Sequence, residues 1–79
     1  MKLPRDLSGE HLISRLCSVW DYSRINQEGS HVILETTQPL NHRISVPAHK
    51  VLRVGILNSI LRSVSRHKGV NREAILETL

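Results

Sequence analysis

Two apolar stripes at helical spacing bracket a stretch of chain in which that spacing disappears. Ile13, Leu16, Cys17 and Trp20 stand at i, i+3, i+4 and i+7, widened by Leu12 and Val19, and Leu57, Ile60, Leu61 and Val64 repeat the pattern near the other end. Each stripe gives one helix a face to bury. Between them lie short runs with a strand's texture, so the chain has two helical faces and one sheet to cover them. The arrangement that buries both is an antiparallel sheet with both helices packed on one face and the other face wet.

Local signals set the element boundaries. Ser8 can cap the first helix through a backbone N–H two or three residues on, and Glu10 follows where the helix dipole favours an anion. Asp21 closes it, because aspartate tolerates the left-handed conformation. Residues 22–27 (YSRINQ) read as a strand, Glu28-Gly29 as a turn, and residues 30–36 (SHVILET) as the most apolar strand, the two forming a hairpin. Pro39 and Asn41 mark a loop, and Arg43-Ile44-Ser45-Val46 alternates with period two until Pro47. A second helix runs to about Ser65 or a little beyond, with Asn58, Arg62 and Arg66 pointing away from its apolar stripe. Beyond Gly69, Asn71 can cap a short last helix carrying Ile75, Leu76 and Leu79. The expectation is an α+β fold, one domain over residues 1–79, in the order αβββα with a short extra C-terminal helix.

A chain of 79 residues has a modest core and no room for a deep enclosed pocket, so function is expected on its surface. Its single cysteine, Cys17, lies on the first apolar stripe and excludes an internal disulfide or a CxxC site. No two histidines stand three or four apart, so no metal site and no cofactor are expected. The start MKLPRDLSGE lacks the apolar core of a signal peptide, and no run is long enough to span a bilayer. A cytoplasmic protein without a membrane partner is the expectation.

The net charge of +4 is less informative than its distribution. No acidic residue falls between Thr36 and Arg72, while Arg43, Lys50, Arg53, Arg62, Arg66, Lys68 and Arg72 all do. Such a segment is either a solvated positive face or a surface for phosphate, and the second reading carries more weight.

The stretch EGSHVIL, residues 28–34, holds the chemical question. A hairpin entry needs glycine for positive φ and β-formers afterwards, but it has no need of an imidazole. His31 is therefore either an idle polar side chain or the working group of a site.

The succession LSGEHLISRL, GSHVIL, ISVPAHK and GILNSILR resembles the HicA toxins of HicA/HicB toxin-antitoxin pairs, across nearly the whole chain. Its most specific parts are Gly29-Ser30-His31 and Val46 to His49. The resemblance implies a double-stranded RNA-binding-domain-like fold, an endoribonuclease (mRNA interferase) activity with His31 as the catalytic residue, and a HicB-like antitoxin that shields it. Three departures stand out: Asp21-Tyr22 replaces a usual glycine and aromatic, Ile56 follows Gly55 in place of a small polar residue, and SRHKG, residues 65–69, looks longer than the usual link.

RNA carries its own nucleophile, the 2′-OH, so cleavage without metal needs a base, donors for the phosphorane and an acid for the leaving 5′ oxygen. An imidazole suits the first task, since histidines titrate close to neutral pH. On this reading Gly29 and Ser30 let the ribose-phosphate chain come close to His31. Lys50 and Arg53 grip phosphate beside a helix N-terminus, Arg62 extends the RNA-binding surface, and His49 is a candidate acid. His11, His42 and His67 are read as ordinary polar residues, and Trp20 and Tyr22 as core. Two rivals predict other outcomes: a non-catalytic RNA-binding module of the same fold, and a protein-interaction domain whose charge serves solubility.

Overall fold

A computed structural model describes residues 3–79. The chain runs α1 (Gly9–Val19), β1 (Ser23–Glu28), β2 (His31–Thr36), β3 (His42–Pro47), α2 (Val54–Lys68) and α3 (Arg72–Leu76). The strands form one antiparallel sheet in the order β1-β2-β3.

Strand β2 explains why only one sheet face is covered. Val32, Leu34 and Thr36 are buried, whereas His31 is exposed and Ile33 and Glu35 are half-buried. Their cross-strand partners on β3 follow the same alternation: Val46 is buried opposite Val32, and Ile44 packs on the core opposite Leu34. Leu12, Ile13 and Leu16 of α1 and Leu57, Ile60, Leu61 and Val64 of α2 meet these strand residues in one core. On the uncovered face, Arg43 and Glu35 pair across the strands at 2.9 Å.

The caps lie where the chain's polar residues direct them. Ser8 accepts from the His11 N–H at 3.0 Å, and Asn71 accepts from the Ala74 N–H at 2.9 Å. Asp21 takes a φ of 62°, the left-handed conformation that glycine adopts without a Cβ penalty. Gly69 ends α2 at a φ of 69°. Val19 departs from the expected stripe and is 40% exposed at the end of α1, where the chain turns out of the core. Tyr22 is 2% exposed and belongs to the core, so β1 begins one residue later than its texture suggests. Helix α2 extends three residues past Ser65, to the glycine that can stop it.

The C-terminal segment closes the far side of α1. Trp20 donates from Nε1 to Thr78 Oγ1 at 3.1 Å, Arg15 donates to the Thr78 carbonyl, and Ile75 is fully buried. No helix among the described residues is long and apolar enough to cross a membrane.

Candidate functional site

The β1–β2 connection is a two-residue loop, Gly29-Ser30, flanked by the paired residues Glu28 and His31. Gly29 has a φ of 60°, which only glycine adopts cheaply at the first position of so short a hairpin loop. A hairpin this tight fixes the register, and the register puts His31 on the uncovered face, exposed and opposite Pro47. Its Nδ1 lies 3.4 Å from Ser45 Oγ, a long contact that can orient the ring. With Nδ1–H donating to that hydroxyl, Nε2 is free to accept a proton from solvent or ligand.

The segment after β3 is tied to this turn. Ala48 donates its N–H to the Ser30 carbonyl at 2.6 Å, and His49 Nε2 lies 3.4 Å from Ser30 Oγ. From the other side, Gly9 donates its N–H to the His49 carbonyl at 2.9 Å. A Cβ on Gly9 would sit 1.9 Å from the Pro47 carbonyl oxygen, so the start of α1 touches this segment backbone to backbone. Leu52, 1% exposed and bonded through its N–H to the Leu7 carbonyl, pins the same loop to the core. Lys50 and Arg53 flank that anchor and are both exposed. Arg53 is the N-cap of α2, whose first turn has no side-chain cap and no acidic residue, leaving free N–H groups beside two cations.

Gly29, Ser30, His31 and His49 are thus brought together at one end of the sheet, with Lys50 and Arg53 on the loop that follows. Arg62 is not among them. It lies on α2 and shares a cleft with His42, which opens β3 at the end away from Pro47, and six residues of strand span about 17 Å. Neither Trp20 nor Tyr22 is presented for base stacking, since the indole is bonded to Thr78 and the phenol lies in the core.

Two histidines that look idle in the sequence have a definite setting at that opposite end. Tyr22 Oη lies 2.8 Å from His42 Nδ1, His42 Nε2 lies 3.2 Å from Ser63 Oγ, and the His42 and His67 rings stack with centroids 4.3 Å apart. Burial, helped by the neighbouring His67 and Lys68, holds the His42 pKa below the ordinary histidine value. Burial also pushes the Tyr22 phenol up to about 12. Lys68 donates to Thr36 Oγ1 at 3.1 Å and to the Gln38 carbonyl at 2.7 Å, and burial lowers its pKa against the pull of Asp21. No sequence periodicity announces this cluster, because Tyr22 precedes β1, His42 opens β3, and Ser63 and His67 lie on α2. The one available signal was the helical spacing of Ser63 and His67.

Burial raises the Cys17 thiol above its ordinary pKa, partly countered by Arg24. Among the described residues no group of three or more His, Cys, Asp or Glu side chains could hold a metal ion. No protein family matches the chain, and no curated protein or solved structure matches it.

Proposed function

We propose that this chain is a HicA-like toxin, an endoribonuclease that cleaves messenger RNA with His31 and is neutralised by a HicB-like antitoxin covering that residue. The observation that carries the reading is the position of His31: an exposed imidazole at the mouth of a strand, its register fixed by a two-residue hairpin, beside Ser45 and the His49 loop. A double-stranded RNA-binding-domain-like fold fits the αβββα order with both helices on one sheet face.

In the proposed reaction His31 Nε2 takes the 2′-OH proton, the 2′ oxygen attacks the adjacent phosphorus, and the bond to the 5′ oxygen breaks as that oxygen is protonated. His49, adjoining Ser30, is the candidate donor of that proton. Lys50, Arg53 and the uncapped start of α2 hold the flanking phosphates and stabilise the charge on the phosphorane. Gly29 and Ser30, small and exposed, leave room for the ribose-phosphate chain. The chemistry draws on the substrate's own hydroxyl and calls for no cofactor. The protein would act in the cytoplasm, where messenger RNA is found.

Induced expression of the wild type and of His31→Ala, followed by growth and transcript integrity, tests the proposal. Growth arrest with cut transcripts for the wild type alone supports it. Transcripts left intact by a wild-type protein that binds RNA would make the chain a non-catalytic RNA-binding module.

A further inference from the structure

We propose that the cleft between the start of β3 and the outer face of α2 binds a phosphate group, carried on a nucleotide chain or on a small phosphorylated molecule. The cleft measures about 550 Å³ and is lined by His42, Ser59, Arg62, Ser63, Arg66 and His67. It lies at the end of the sheet away from His31, and the inference does not rest on the role given to that residue.

Charge is the first argument. Arg62 and Arg66 stand four apart on α2, both exposed, and neither has a carboxylate partner among the described residues. No acidic side chain lines the cleft. Elsewhere on the surface Arg24 and Arg43 are each paired with a glutamate, whereas the two cations of the cleft, like Lys50 and Arg53 at the other end of the sheet, have no such partner among the described residues. Guanidinium groups so placed match the oxygens of a phosphate by forked, charge-assisted hydrogen bonds.

The hydroxyls supply the second argument. Ser59 and Ser63 repeat the same four-residue spacing, so donors of both kinds line one wall. Ser63 belongs to a chain of hydrogen bonds: with Tyr22 donating to His42 Nδ1, the His42 Nε2–H donates to Ser63 Oγ, and the hydroxyl keeps its own proton for a ligand. Stacking on His67, whose Nε2 is buried without a partner, holds the imidazole in place. A phosphate monoester presents three terminal oxygens to the two guanidiniums and two hydroxyls, and a diester presents two non-bridging ones.

The histidines make the site readable. Imidazole resonances of His42 and His67 would be followed by NMR at fixed pH and ionic strength during three titrations. The probes are inorganic phosphate, a nucleoside 5′-monophosphate, and a 2′-O-methyl oligoribonucleotide with hydroxyl ends, which carries only diesters and cannot be cut. Saturable displacement of both histidines is expected with at least one probe. Affinity should fall about tenfold or more in Arg62→Gln/Arg66→Gln, whose amide spectrum should remain that of the folded chain. Response to the small phosphates alone assigns the site to a small molecule, and response to the oligonucleotide assigns it to a nucleotide chain. No saturable displacement with any probe, or undiminished affinity in the folded double variant, would overturn the proposal.

Discussion

Gly9 and Gly55 each lie in the first turn of a helix, where alanine is ordinarily the better residue by up to about 1 kcal/mol. Their surroundings set them apart. Nothing lies within 4 Å of a Cβ built on Gly55, so Gly55→Ala should gain about 0.5–1 kcal/mol of stability. A Cβ on Gly9 would meet the Pro47 carbonyl oxygen at 1.9 Å and the Pro47 carbonyl carbon and Ala48 Cα at 2.9 Å, all of them backbone atoms that cannot rotate away. Helix α1 must therefore move off the 47–49 segment, which stretches the Gly9 N–H bond to the His49 carbonyl. Overpacking costs about 1–3 kcal/mol and the hydrogen bond about 1 kcal/mol. Offset by the propensity gain, the net loss is about 1–3 kcal/mol, a large share of the roughly 4–12 kcal/mol expected for a domain of this size. Urea unfolding reads the difference directly: with a slope near 1 kcal/mol per molar, the Gly9→Ala midpoint should fall by about 1–3 M while that of Gly55→Ala rises. The proposed RNA cleavage should fall as well, because the displaced segment carries His49 and is bonded to Ser30. A Gly9→Ala midpoint raised as much as that of Gly55→Ala would refute the contact and the coupling built on it.

Other perturbations separate the two ends of the sheet. Tyr22 is the chain's single tyrosine, so phenolate absorbance in the folded protein should appear near pH 12, not near 10. Stability due to the neutral phenol should be full below about pH 10 and lost as the pH rises from there towards 12. The sign is opposite for His42, whose folded pKa lies below that of the unfolded chain. Its unfolded imidazole takes up the proton first, so stability should decline as the pH falls below about 6.5 and level off beneath the folded value. Thermal unfolding of the wild type and His42→Gln across this range should show a shallower slope for the variant, and equal slopes would contradict the assignment. Asp21→Gly should be neutral or stabilising and Asp21→Ala should cost about 1 kcal/mol, as measured by denaturant midpoint, since only the first relieves the positive φ.

The elements were legible because each is announced by local chemistry: two apolar stripes, caps at Ser8 and Asn71, and glycines at the β1–β2 turn and the end of α2. His31 was legible as a residue that the hairpin does not require. What the sequence could not reveal depends on approach between distant segments. Gly9 looks like an ordinary first-turn glycine until α1 is laid against Pro47, 38 positions further on in the chain. His42 and His67 belong to different elements and acquire a setting only when α2 packs across the start of β3. Arg62 shares a charged segment with Lys50 and Arg53, but charge counted along the chain does not say which end of the sheet each residue occupies.

The central claim is that His31 activates the substrate's own 2′-OH. Its most direct test is cleavage of an RNA oligonucleotide by purified wild type and His31→Ala, beside the same oligonucleotide with one deoxyribose at the scissile position. The account predicts that the wild type cuts the all-ribose strand with or without EDTA, leaving a cyclic phosphate. It also predicts that the deoxy-substituted strand resists, and that His31→Ala is inactive with stability within about 0.5 kcal/mol of the wild type. Cleavage of the deoxy-substituted strand at a comparable rate, or wild-type cutting by His31→Ala, would contradict it.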